Sequence, residues 1–315
     1  MTSLLELKQY IKRFYIKNET YITYIWKFVL ALISIAIINN KLGYMQPLTN
    51  IAIVLMASLL CSILPPNFIV LISAVFVLGH LYSLSVESAI IAAIIFLLMF
   101  LLYFRFSPKD TIAVLLTPVF FFLHIPYVIP LAMGLLGLPT SIVSVAFGLM
   151  ISYMLTYFSS SASTVSVLGS DVEETTNQFS QVLNGIVGNK VMLVMIIAFS
   201  LTIIIVYVIR RSSIDNSWRI AIAAGAICLI VSILVGDMVM DTQISLAGVI
   251  FGTIISALLM LVVEFFAFNL DYSRTEKVQF EDDEYYYYVK AVPKVTLATP
   301  ERRVKRINRA DQRRR

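Results

Sequence analysis

The chain has 315 residues, 59% of them hydrophobic, and a mean hydropathy of +0.87. That excludes an ordinary soluble domain and predicts an all-α polytopic membrane protein. The net charge of +5 belongs to the ends: seven of the 24 Lys and Arg lie between Phe28 and Asn269, and twelve lie from Leu270 onward.

Residues 1–20 carry Lys8, Lys12, Arg13 and Lys17, with Leu4, Leu5, Leu7, Ile11, Phe14 and Tyr15 at helical spacing. This predicts a basic amphipathic segment on the inner leaflet, or a cytosolic extension of the first span. No short apolar run ends at a small-residue cleavage site, so no cleavable signal is expected. The first bundle, 21–158, opens with a span over 21–39, where Lys27 is placed to snorkel beside Trp26. Spans follow over 48–64, from the Pro65-Pro66-Asn67 turn to Ser83, and over 86–104. Each approaches the roughly 20 residues that a bilayer core requires. The loop 105–110 holds Arg105 and Lys109 and is expected in the cytoplasm.

Next comes TIAVLLTPVFFFLHIPYVIPLAMGLLGLPT, from Thr111 to Thr140, nearly all apolar but interrupted by Pro118, Pro126, Pro130 and Pro139. Broken backbone at membrane depth must be sheltered by protein or line a cavity. It is also the strongest sequence pointer to a transport or binding site. Residues 111–124 and 127–138 are each short for a span. A span over 140–158 follows.

The polar segment 159–189 then interrupts the apolar pattern. Ser170 with Glu173 matches a capping box, and Val172, Phe179, Val182, Leu183 and Ile186 recur at helical spacing. An amphipathic extracytoplasmic helix is expected there. The second group, 190–269, contains spans over 190–209, 218–236 and 244–268. Arg210-Arg211 makes the first connection basic, and Asp237 and Asp241 make the second acidic. The basic side is cytoplasmic, so both termini are expected inside a cell membrane. Traced backward, 111–138 must then enter and leave by one face. It is either a re-entrant hairpin or two tilted spans, beside eight full spans.

His124, Pro126, Pro130 and Glu264 are the candidate transport-path residues. Ionisable groups at membrane depth are functional candidates by default, and the prolines hold the break. The bland alternative for His124 is a ring bonded to a freed carbonyl; for Glu264 it is a carboxylate that reaches water. His80 and Glu87 lie near a span end. Gly248, Gly252 and Ser256 are spaced four apart and predict close helix packing. Cys61 and Cys228 lie in apolar runs and read as core residues. HExxH, GxSxG, paired aspartates and a phosphate-binding loop are missing from the sequence. The chain is therefore not expected to be an enzyme or to hold a cofactor or metal.

The tail, 270–315, holds two β-prone runs around Glu281-Asp282-Asp283-Glu284, which predicts a hairpin or an adhesive strand. Such a strand would add to a protein partner or a second copy. Arg302, Arg303, Lys305, Arg306 and Arg309 predict contact with anionic lipid; nucleic acid is not expected. The stretch RTEKVQFEDDEYYYYVKAVPK resembles the tail of uncharacterised multispanning membrane proteins of anaerobic Gram-positive bacteria. The resemblance implies a bacterial plasma membrane and assigns no activity. Two functions remain: a permease-like transport component built on the broken stretch, or a scaffold that recruits partners through its tail.

Overall fold

A computed structural model of the chain describes residues 2–166, 180–267 and 275–293. It divides into two compact units, residues 18–267 and residues 1–17 with 268–315.

The larger unit is helical. Its helices are α2 (Glu19–Lys41), α3 (Gln46–Thr49), α4 (Ile51–Ile63), α5 (Asn67–Leu84), α6 (Val86–Phe106), α7 (Thr111–Phe122), α8 (Val128–Leu136) and α9 (Ser141–Ser166). Then come α10, described over 180–186, α11 (Lys190–Arg210), α12 (Ser217–Met240) and α13 (Leu246–Ala267). Among the described residues, seven helices are long and apolar enough to cross a membrane. They keep broad apolar faces, such as Leu97, Leu98, Leu101 and Leu102 of α6, outside the bundle. A solvent of lipid tails accounts for those faces, and the chain is a multispanning membrane protein.

Two boundaries differ from the sequence reading. The expected span 48–64 is broken. The side chain of Asn50 accepts from Ala52 N at 2.9 Å and starts α4 afresh, leaving 13 helical residues, or about 20 Å. α9 runs on through Ser159 to Ser166, so the polar segment begins inside a helix. Serines interrupt neither its backbone bonds nor its geometry. Of the amphipathic pattern, Val182 and Ile186 are buried in the core; Ser170, Val172, Glu173 and Phe179 lie outside the described residues.

Three apolar clusters form the core. One joins α2, α4, α5, α6, α7, α9 and α10, including Ile35, Ile69, Phe96, Val114 and Phe158. A second joins α7, α8, α9, α11, α12 and α13 around Leu149, Phe199 and Leu229. A third packs α8 against α11, α12 and α13 through Leu131, Leu135 and Val206. The pair α7–α8 contributes to all three.

In the smaller unit α1 (Thr2–Lys17) is helical, and β1 (Glu276–Glu281) pairs antiparallel with β2 (Tyr286–Ala291). Val278 faces Val289 and Phe280 faces Tyr287, so one face of this hairpin is apolar. The rings of Phe280 and Tyr287 stack at 4.9 Å. Arg302, Arg303, Lys305, Arg306 and Arg309 lie outside the described residues.

With Cys61 and Cys228 replaced by Ala, Ser160→Cys and Ser213→Cys are expected to react with an impermeant maleimide from opposite faces of sealed vesicles. Both are exposed and lie beyond opposite ends of α11. Labelling of both from one face would show that α11 does not cross.

Candidate functional site

At the α7–α8 turn the helical backbone is broken between two short helices. At the end of α7, His124 N donates to Phe121 O at 3.1 Å and Ile125 N to Phe120 O at 3.0 Å. That pair of bonds is a Schellman stop, which places one residue in the left-handed region. The residue is His124, at φ 61°, where glycine is usual. Pro126 follows and prevents continuation. Pro130 falls in the first turn of α8, where a missing N–H costs nothing. Pro118 lies in the interior of α7 and removes the donor that would have met Val114 O. These three prolines therefore have different jobs.

The other end of the pair is pinned by polar side chains. Ser141 Oγ donates to Asp110 Oδ2 at 2.7 Å, joining the residue before α7 to the first of α9. Ser107 and Ser144 hydroxyls meet at 2.7 Å. Tyr103 donates to Asn67 Oδ1 at 2.9 Å, and Thr111 reaches the same oxygen. Arg210 of α11 donates to Leu135 O, and to Gly137 O at 2.7 Å. Those carbonyls end α8 and have no helical donor of their own. The tie between Asp110 and Ser141 puts the start of α7 and the end of α8 at one end of the bundle.

A cavity of about 210 Å³ opens beside the turn. α2 supplies Ile37 and Lys41; α7 and the turn supply Pro118, Phe121, Phe122 and His124; α9 supplies Ser152, Leu155 and Thr156. Ser152 and Thr156 donate to Gly148 O and Ser152 O, so their hydroxyl hydrogens are engaged. Lys41 and His124 make no side-chain hydrogen bond or ion pair among the described residues. Below lies a narrower chamber of about 30 Å³, which shares Ile37, Pro118 and Leu155 as walls. Its size suits one or two waters. Ser34 of α2 and Ser73 of α5 line it, more than nine-tenths buried, with hydroxyls that have no partner among the described residues.

Sequence reading did not single out Lys41, Ser34, Ser73, Ser152 or Thr156. Hydroxyls in apolar helices commonly bond back to the carbonyl four residues earlier. Ser58, Thr117, Thr202 and Ser256 all do so. Ser34 and Ser73 do not, and spacing alone gives no sign of that difference.

The expected path residues do not all converge. His124 lines the cavity; Pro126 and Pro130 are buried around the turn. Glu264 sits near the far end of α13 and accepts from Arg219 Nε at 3.1 Å. Arg219 opens α12, which starts beside Arg210, so Glu264 belongs to the pinned end, away from His124. Gly252 faces the Tyr127 ring, where a β-carbon would come within 2.7 Å; Ser256 donates to Gly252 O; Gly248 is exposed. His80 is fully buried between Met45 N, at 3.1 Å from Nδ1, and Asn39 Oδ1, at 2.8 Å from Nε2. Glu87 accepts from Ser85 Oγ at 2.5 Å as part of the α6 cap. Lys27 donates to Leu64 O at 3.2 Å and so closes the end of α4. Between helices, Tyr44 donates to Phe158 O at 2.8 Å, and burial pushes its phenol up from the usual range.

Comparison with protein-family models, curated proteins and solved structures finds no match.

Arg210→Met is expected to destabilise the chain in detergent by about 2 kcal/mol, since two carbonyls lose a charged donor. Arg210→Lys should recover only part of this, because one ammonium does not reproduce the fork. Thermal melts of the three proteins measure it. Equal melting of Arg210→Met and wild type would show that α8 is held by packing alone.

Proposed function

We propose that the chain is a permease-like transport component whose path follows α7 from the cavity at His124 toward Ser34 and Ser73. In this reading 111–138 is a re-entrant hairpin. Its two mouths share one end of the bundle, and α7 with 12 residues rises only about 18 Å. The observation that carries the reading is the pair of unpartnered, buried hydroxyls facing one chamber that adjoins the open cavity. Buried polar groups are ordinarily bonded, and an apolar membrane interior makes orphans more costly. Water or a polar cargo in the chamber supplies the missing partner. The narrow chamber below Pro118 is then the closed part of the route, and the wider cavity its open vestibule.

Cysteine accessibility tests this without knowledge of the cargo. In the background lacking Cys61 and Cys228, Ser152→Cys is expected to react with a small charged thiosulfonate. Ser34→Cys should react more slowly, and Ser58→Cys, buried elsewhere in the bundle, should be protected. Protection of Ser34→Cys equal to that of Ser58→Cys would remove the path.

A second reading, a scaffold, is favoured by the apolar face of the β1–β2 hairpin. Val278, Phe280, Tyr287 and Val289 are all exposed on it. An isolated two-stranded hairpin is marginal in water, so a covering surface would stabilise it. The Arg-rich residues beyond Pro300 would add anionic-lipid contact. Deletion after Asn269 is expected to change oligomeric state or co-purifying proteins if this reading holds. An unchanged complex leaves the tail as a topological anchor.

A further inference from the structure

We propose that the cavity at His124 binds a small monoanionic carboxylate with a compact apolar body. The proposal deepens the transport reading and uses the same cavity, but binding is measurable without transport. Three observations converge on this ligand class.

The first is charge. Among the described residues, the polar donors on the cavity wall without a partner are the Lys41 ammonium and the His124 imidazole, and none that lines it is a carboxylate. Lys41 is the last residue of α2, and His124 comes from the turn after α7, so two separate elements present them. A cationic cargo finds no counter-charge among the described lining residues. An anion gains a charge-assisted bond from Lys41.

The second is shape and polarity. Ile37, Pro118, Phe121, Phe122 and Leu155 make the remaining wall largely apolar and partly aromatic. Such a surface suits one hydrogen-bonding head on an apolar body, the usual pattern of small-molecule sites. A strongly hydrated dianion would lose water against the phenyl rings without enough donors to replace it. At about 210 Å³ the cavity exceeds the roughly 150 Å³ that accepts a benzene ring, so a benzoate-sized acid fits.

The third is backbone strain. A non-glycine residue at a Schellman stop carries a Cβ penalty that glycine avoids. His124 bears it while its ring makes no bond among the described residues. An imidazole held at a strained position beside a cavity is consistent with a binding role. A purely structural turn would be met as well by glycine.

The test is calorimetric titration of the full chain in detergent with benzoate, and with benzamide as its neutral counterpart. Wild type is expected to bind benzoate at least about tenfold more tightly than benzamide. Lys41→Gln should abolish most of that preference. His124→Gly should weaken benzoate while leaving the melting temperature equal or higher, which separates binding from folding. Ser152→Phe, which fills the cavity from the α9 wall, should weaken both ligands. Equal binding of benzoate and benzamide, or unchanged benzoate affinity in all three variants, would overturn the proposal. So would loss of benzoate binding in phosphatidylglycerol nanodiscs but not phosphatidylcholine ones, which would make a lipid headgroup the occupant. If benzoate binds as described but proteoliposomes do not take it up, the site stands and the transport reading fails. If thiosulfonate reaches Ser34→Cys while benzoate does not bind, the path stands and the ligand class fails.

Discussion

A helix that stops inside an apolar bundle leaves carbonyls and amides that lipid cannot satisfy, and the architecture is arranged around that constraint. The break at α7–α8 exposes three such sets. Phe120 O and Phe121 O, at the end of α7, are closed by the Schellman bonds of Ile125 and His124. Leu135 O and Gly137 O, at the end of α8, are closed by Arg210 from another helix. The donors at the start of α8 are few, because Pro130 removes one of them. The break is thus fixed locally at its turn and by tertiary contact at its mouth. It cannot be moved along the chain without orphaning one of these sets.

Packing follows from the same arrangement. Lipid tails are as apolar as leucine, so helices associate through close fit rather than through exclusion of water. α8 is only nine residues long and obtains that fit from missing side chains. A β-carbon at Gly134 would lie 2.6 Å from Val206 Cβ, and one at Gly225 would clash with both Val206 and Leu131. Val206 is therefore clasped between α8 and α12. On the α7 side, a β-carbon at Gly148 would come within 2.5 Å of Thr117 Cβ, which seats α9 against the middle of α7. Toward the turn the fit loosens: Ser152, Leu155 and Thr156 of the same α9 line the cavity instead. The rigid face of the hairpin is α8; the face with room beside it is α7. Unfilled space lies on the α7 side and none lies at Val206.

Much of this was legible in the sequence. Of the eight full spans read from runs of about 20 apolar residues, seven correspond to long apolar helices and 48–64 does not; the helical break follows from four prolines in 30 residues. The β1–β2 hairpin follows from two β-prone runs around four carboxylates. The rest was hidden for identifiable reasons. Asn50 reads as one polar residue at a span edge; only its bond to Ala52 N shows it restarting the helix. Arg210 reads as a topology signal, because spacing does not reveal a carbonyl 75 positions earlier. Glu264 stands out as a carboxylate in an apolar run, but Arg219, 45 residues away, already answers it. Ser34 and Ser73 carry no signal, since their distinction is a bond they fail to make.

The two histidines show why partner accounting discriminates better than depth. His80 is fully buried, the usual mark of a functional ionisable group in a membrane. Yet Nδ1 accepts from Met45 N, so the proton sits on Nε2 and is donated to Asn39 Oδ1; Asn39 Nδ2 then donates to Leu48 O. Every polar atom in that chain has a partner, and the result ties α5 to α2 and to the start of α3. Adding a second proton would set Nδ1–H against an amide N–H. His80 is thus committed to one state by its structural work. His124 has the opposite profile: exposed, without a partner among the described residues, and held at a backbone angle that favours glycine. A group whose bonds are complete has nothing left to offer a ligand. Of the two rings, the one at the break is the one still free to bind.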